Sequence, residues 1–203
     1  MAVSVFIDVS SSSPLQPYIE ALWNNGITSG TGGSIPYVDL TYSPANNITN
    51  QEIGTFVVRA LKVTIDPTVL PDAALPEMFS DLVSSAGYFP YVQKLMKLGA
   101  MCGPSREAAT PDYGPGLFLA ATAIKRKQIA ECIQSSIHWD LVNPSAASFS
   151  DVPTTHPYFK QVETVYQHSV MSGTAGLFDP DGLMARDVAA KLICDAYQIP
   201  VVP

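Results

Sequence analysis

The sequence has few charged residues, and it has fewer basic residues (11) than acidic residues (18). Charged side chains make up 14% of the 203 residues, against roughly 25% in an average soluble domain. A deficit of this size excludes a solvated disordered tail and a charged coiled coil. The formal net charge of −7 argues against a general nucleic-acid-binding protein, because affinity for phosphate needs a basic surface.

Long apolar runs, an export leader and catalytic motifs are also missing. No apolar run approaches the roughly 18 residues of a membrane span. The segment from Met1 to Asp8 lacks the pattern of a signal peptide, so either an export signal has been removed or the protein is not exported by that route. No Gly-x-Ser-x-Gly or phosphate-binding glycine loop occurs, and His138, His156 and His168 have no metal-ligand spacing. We therefore expect a protein that is not an enzyme and has no metal or cofactor.

The three cysteines are an odd number without a metal-binding spacing such as Cys-x-x-Cys. They are Cys102, Cys132 and Cys194. We interpret them as small buried apolar residues. The alternative is one disulfide with one free thiol, and an oxidising compartment is neither required nor excluded.

The most informative feature is a segment that occurs three times, here called copies 1, 2 and 3. Each copy has a Phe-x-Asp motif, and a glycine follows 22 residues after the aspartate; the pairs are Asp8 with Gly30, Asp81 with Gly103, and Asp151 with Gly173. Apolar residues 11, 14 and 15 positions after each aspartate predict one buried helical stripe. The stripe consists of Ile19, Leu22 and Trp23; Val92, Leu95 and Met96; and Val162, Val165 and Tyr166.

A second helix is predicted in each copy, after a loop that contains an aromatic residue. The helix starts align at Thr49, Lys125 and Met184, and Thr49 with Glu52 forms a capping box. One helical hairpin of this size cannot bury its own apolar stripe, whereas three hairpins that share an interior can. We therefore predict one all-α domain with pseudo-threefold symmetry.

The ordered pattern resembles the S-layer homology (SLH) repeat: Phe-x-Asp-Val, an aliphatic helix, Gly-Ile-Thr-x-Gly, aromatic-x-Pro, then Thr-Arg-x-Glu. Close matches are Gly26 to Gly30 in copy 1 and Phe149 to Pro153 in copy 3. The resemblance covers residues 3–61, 76–137 and 146–197 of a single domain 1–203. It implies a three-pronged spindle around a central helical bundle. It also implies a bacterial cell-surface protein that binds anionic, often pyruvylated, cell-wall polysaccharide.

The resemblance implies ligand contacts in grooves between repeats, from the motif aspartate, the loop glycine and the arginine. Carried over, these are Asp8, Asp81, Asp151, Gly30, Gly103, Gly173 and Arg126, with Lys125 and Lys127 beside the arginine. Asn50 and Ala185 take the arginine's place in copies 1 and 3, and in copy 3 Arg186 is displaced from it by one residue. An acidic glycan is therefore expected at the groove lined by copy 2. The alternative is that the aspartates fix a turn and that the glycines are turn residues.

Two functions remain open. The first is an envelope module that binds anionic polysaccharide. The second is a structural subunit of a larger assembly, such as a surface layer, a filament or a virus-like particle, that uses the fold for protein–protein contacts. The resemblance favours the first, whereas the absence of a cargo domain, the two lost arginines and the weakly charged surface favour the second.

Overall fold

A computed structural model describes residues 4–34, 38–65, 79, 81–100 and 117–202. Within these residues, helices alternate with loops, and one small sheet is present. The helices are α1 (Gln16–Asn24), α2 (Asn50–Ala60), α3 (Phe89–Lys97), α4 (Arg126–Ile137), α5 (Phe159–Gln167) and α6 (Arg186–Tyr197), and the strands are β1 (Gly32–Ser34) and β2 (Val38–Thr41).

The small sheet shows that the expectation of an all-α fold, and of a purely helical three-pronged spindle, is wrong. Strands β1 and β2 are antiparallel, with Gly32 opposite Thr41, in the loop between α1 and α2. Gly33 has φ of 114°, and a Cβ there would lie 2.9 Å from Leu40 Cα, so the close approach requires glycine. The β-branched Thr41 favours extended backbone. The fold is therefore mixed helix and sheet.

The helices pack in a cyclic order. The second helix of each copy lies against the first helix of the next: α2 contacts α3, α4 contacts α5, and α6 contacts α1. Helix α2 also contacts both α4 and α6. Each copy therefore buries the apolar face of its first helix on a neighbouring copy.

Copy 3 differs by one residue from the alignment of helix starts made on the sequence. The second residues of α2, α4 and α6 each donate a backbone N–H to the loop of the next copy. These bonds join Gln51 to Ala120, Lys127 to Pro180 and Asp187 to Pro44, at 3.0, 3.0 and 3.1 Å. Arg186, and not Ala185, is thus the equivalent of Arg126 and Asn50. The aligned starts put Val188 at the positions of Ile53 and Ile129, which are buried. Val188 is instead 41% exposed and Ala189 is buried, so the register assigned to copy 3 was wrong.

The main core combines residues of all three copies, among them Ile19, Ile129 and Val162. Phe79, Val92 and Phe118 of copy 2 form a separate small cluster. Trp23 is partly buried against the main core, as predicted. Tyr166 is 41% exposed, so the prediction that it is buried was wrong. It lies with its ring edge against Phe149, at 4.9 Å between centroids.

The cysteines are not all unpaired. Cys132 is disulfide-bonded, whereas Cys194 is a free, buried thiol. The interpretation of all three as small apolar residues is therefore wrong for Cys132, and Cys102 lies outside the described residues. Burial raises the pKa of Cys194 to about 12, so that thiol is protonated and unreactive at neutral pH.

Candidate functional site

Each motif aspartate holds the loop that precedes the second helix of its own copy. The carboxylate of Asp151 accepts hydrogen bonds from the backbone N–H groups of Phe178 and Asp179, at 2.9 and 2.7 Å. The same pair of bonds joins Asp8 to Tyr42 and Ser43 at 2.8 and 2.7 Å, and Asp81 to Phe118 and Leu119 at 2.8 and 2.7 Å. The second residue of each pair has a positive φ, between 52° and 58°. The carboxylates therefore fix a turn.

The loop glycines pack against the phenylalanine of the motif. A Cβ at Gly30 would lie 2.8 Å from Phe6 Cε1 and 2.5 Å from the Thr41 carbonyl oxygen. A Cβ at Gly173 would lie 2.5 Å from Phe149 Cε1 and 2.2 Å from the Leu177 carbonyl oxygen. Close packing therefore requires glycine at both positions. Gly103 lies outside the described residues.

Arg126 reaches from the start of α4 into copy 3. Its Nε donates to the Phe178 carbonyl oxygen at 2.9 Å, and its Nη2 donates to the Ser172 carbonyl oxygen at 2.8 Å. The guanidinium carbon lies 4.7 Å from the centroid of the Phe178 ring. Burial lowers the pKa of Arg126, and the charges of Asp179 and Asp151 partly oppose this. Arg126 of copy 2 is thus held by the loop of copy 3.

We call the space beside Arg126 groove B. It has a volume of about 170 Å³ and lies between the start of α4 and helix α6. Lys191 and Asp195 of α6 form an ion pair there, and Val188 lies on the same wall. The lining residues are Arg126, Val170, Met171, Ser172, Met184, Val188, Lys191, Leu192 and Asp195.

The equivalent space at copy 1, here groove A, contains Arg186, which the sequence alignment placed one residue away from the arginine position. Its Nε donates to the Tyr42 carbonyl oxygen at 2.8 Å, with the guanidinium carbon 4.7 Å from the ring centroid. Its Nη1 forms an ion pair with Glu52, and only 3% of the side chain is exposed. The available signal was spacing: Arg186 and Arg126 each stand eight residues after the loop aromatic, Phe178 or Phe118.

Groove A is the larger space, with a volume of about 370 Å³. Its lining residues are Thr28, Ser29, Gly30, Gln51, Glu52, Thr55, Phe56, Arg59, Gly87, Tyr88, Tyr91 and Arg186. Arg59 donates to the Tyr91 hydroxyl at 2.9 Å and to the Ile27 carbonyl oxygen at 3.0 Å. In copy 1 itself the arginine position is Asn50, whose Nδ2 donates to the carbonyl oxygens of Phe118 and Leu119, both at 3.0 Å.

Lys125 and Lys127 both lie against Asp181 of copy 3. Their ammonium nitrogens are 2.9 and 3.0 Å from Asp181 Oδ1, and these hydrogen bonds lower the pKa of Asp181. The basic residues at the start of α4 therefore join copy 2 to copy 3, and of the three, only Arg126 lines groove B.

The described part of the chain contains no group of His, Cys, Asp and Glu side chains suited to a metal ion. The helices within the same residue ranges are too short or too polar to cross a membrane.

One part of the chain matches a known family. Residues 148–187 match the S-layer homology domain, and this segment contains Asp151, Gly173 and Arg186. The match supports a cell-surface, cell-wall-binding module, a class that is non-catalytic. Copies 1 and 2 lie outside the matched residues. No curated protein matches the chain.

Proposed function

We propose that the chain is a non-enzymatic cell-envelope protein of three SLH repeats that attaches to anionic polysaccharide of the bacterial cell wall. The repeats are residues 3–61, 76–137 and 146–197 of one domain 1–203. Support for extending the family match beyond residues 148–187 comes from the motif aspartates, which make the same two backbone bonds in every copy. The cyclic packing of the helices is the second support.

The observation that carries the proposal is the state of Arg126 in groove B. Two backbone carbonyl oxygens and the Phe178 ring hold the guanidinium in place. Within the described residues, no carboxylate lies at ion-pair distance from it. A fixed guanidinium without a carboxylate partner is suited to bind an acidic group through charge-assisted hydrogen bonds.

Lys191 adds a second cation to groove B. Its ion pair with Asp195 is partly exposed, and an exposed pair of this kind contributes little stability and is screened by salt. An acidic sugar can therefore compete with Asp195 for Lys191 at low cost. The aliphatic walls formed by Met171, Val188 and Leu192 suit the carbon faces of a sugar ring.

The test is the affinity for purified cell-wall polysaccharide that carries ketal-linked pyruvate, compared with the same material after acid removal of the pyruvate. We expect Arg126→Gln to weaken binding at least about tenfold, because one charge-assisted contact is lost. The variant should fold, since the amide of Asn50 makes the equivalent backbone contact in α2. The control is Lys160→Gln, at an exposed site on α5 that does not line groove B. It also removes one positive charge, and it should change the affinity less than about twofold.

Equal binding by wild type and Arg126→Gln would reject groove B as the binding site. No binding by folded wild-type protein would reject the proposed function. If such a protein instead formed a stable oligomer or partner complex by native mass measurement, the structural-subunit alternative would be favoured.

A further inference from the structure

Grooves A and B share the contacts that hold the arginine. Their facing helices differ in charge at three lining positions, which are Glu52, Thr55 and Arg59 in groove A and Val188, Lys191 and Asp195 in groove B. In each, an arginine begins a helix, donates Nε to the carbonyl of a loop aromatic in the next copy and lies 4.7 Å from the ring centroid. The third residue of the facing helix is Glu52 of α2 in groove A and Val188 of α6 in groove B.

Glu52 is the ion-pair partner of Arg186, the arginine of groove A. One of its oxygens accepts from the backbone N–H and the hydroxyl of Thr49, at 2.9 and 2.7 Å. The other oxygen forms the ion pair with Arg186. Glu52 therefore caps helix α2 and neutralises the arginine at the same time.

Val188 cannot do the same in groove B. Its side chain is apolar and 41% exposed, and in the described ranges Arg126 has hydrogen bonds only to backbone carbonyl oxygens. The arginines of the two grooves therefore differ in how they are paired. In groove A, Glu52 already pairs with Arg186. In groove B, the carboxylate among the described lining residues is Asp195, which pairs with Lys191 and not with Arg126.

We propose that the residue at this position, Glu52 in groove A and Val188 in groove B, determines whether the arginine beside it, Arg186 or Arg126, accepts the acidic group of a saccharide. Glu52 provides the carboxylate of groove A internally, whereas Val188 leaves Arg126 to a carboxylate of the ligand. This inference rests on the proposed function. A ligand carboxylate at Arg186 is disfavoured because it is repelled by Glu52 and finds Arg186 already paired.

The test uses Val188→Glu, with Val188→Gln as a control of the same length and no charge. Both variants should fold, because Glu52 in α2 and Gln128 in α4 occupy the same helical position, where each accepts from the N-cap backbone N–H, at 2.9 and 3.0 Å. Two measurements are made on each protein. The first is affinity for the pyruvylated polysaccharide, and the second is the rate at which phenylglyoxal modifies Arg126, followed by peptide mass spectrometry.

We expect Val188→Glu to weaken polysaccharide binding at least about tenfold, because the new carboxylate takes the arginine that the ligand needs. It should also slow the modification of Arg126 about fivefold or more, whereas Val188→Gln should stay within about twofold of wild type in both measurements. Wild-type affinity in Val188→Glu, or an equal loss in Val188→Gln, would overturn the inference. If wild type does not bind but Val188→Glu still protects Arg126, the proposed function fails while the pairing of this position with the arginine is supported.

Discussion

Removing the carboxylate of Asp151 should destabilise copy 3 by a measurable amount. Its two oxygens accept hydrogen bonds from the N–H groups of Phe178 and Asp179 at 2.9 and 2.7 Å. Asp179 has φ of 58°, so the turn holds a non-glycine residue in the left-handed region. This backbone conformation is unfavourable for a residue with a side chain. The carboxylate compensates for this cost by binding both donors of the turn.

The magnitude follows from the two bonds. A hydrogen bond to a charged group contributes about 1.5 to 3 kcal/mol, and the bond to Asp179 is exposed, so Asp151→Ala should lower the free energy of unfolding by about 2 to 4 kcal/mol. Asp151→Asn retains one acceptor oxygen and should lose about half as much. Asp140→Ala, at an exposed site, should change stability by less than about 0.5 kcal/mol.

The assay is urea unfolding monitored by far-ultraviolet circular dichroism on wild type and the three variants. The free energies of unfolding can be compared directly when the dependence on urea concentration, the m value, is the same for all four proteins. If Asp151→Ala unfolds within about 0.5 kcal/mol of wild type, the carboxylate does not hold the turn and our account of the motif is wrong. The same result would remove the structural reason for the Phe-x-Asp motif in the other two copies.

Three further predictions concern stability. Gly173→Ala should cost at least about 1 kcal/mol more than Gly87→Ala, because a Cβ at Gly173 would lie 2.2 Å from a carbonyl oxygen, whereas nothing lies within 4 Å at Gly87; equal unfolding midpoints would contradict the close packing. Thr49→Ala should cost about 1 kcal/mol by loss of the cap, and a change near zero would mean that α2 does not depend on it. Asp181→Asn should cost less than about 1 kcal/mol at pH 7, since the ion pairs are exposed. Because the lysines lower the folded-state pKa of Asp181, this stabilisation is present above the ordinary carboxyl pKa of about 4 and is lost as the pH falls through the lowered pKa. The difference between wild type and variant should therefore shrink steadily as the pH falls below the ordinary pKa; a difference that stays constant would contradict the assignment.

The sequence could predict the local features of the fold. The stripe positions Ile19 and Val162 are buried, and Thr49 and Glu52 form the capping box of α2. These features depend on residues three or four positions apart, which are neighbours on one helix. The spacing of Phe-x-Asp and loop aromatic likewise reflects a contact within one copy.

The register of α6 could not be decided locally. Val188 and Leu192 form an apolar i, i+4 pair as readily as Ala189 and Ile193 do, so periodicity fits both alignments. What fixes the register is the hydrogen bond from Asp187 N–H to the Pro44 carbonyl oxygen, a contact between distant parts of the chain. No helical pattern contains that information.

Two further features were not predicted from the sequence. The pairing of Arg186 with Glu52 joins residues from copies 3 and 1, so neither residue signals it in its own segment. The short sheet of β1 and β2 pairs two strands within copy 1, where Gly32 lies opposite Thr41, and no alternating apolar pattern marks it in the sequence. Contacts between copies account for the missed ion pair, and they also create grooves A and B.

The most direct test of the central claim is the structure of the protein with a pyruvylated oligosaccharide from cell-wall polysaccharide bound. The account predicts the sugar's carboxylate within hydrogen-bonding distance of the Arg126 guanidinium, between α4 and α6, with the pair of Glu52 and Arg186 intact in groove A. A carboxylate seated on another surface, or in groove A with Glu52 displaced, would contradict it.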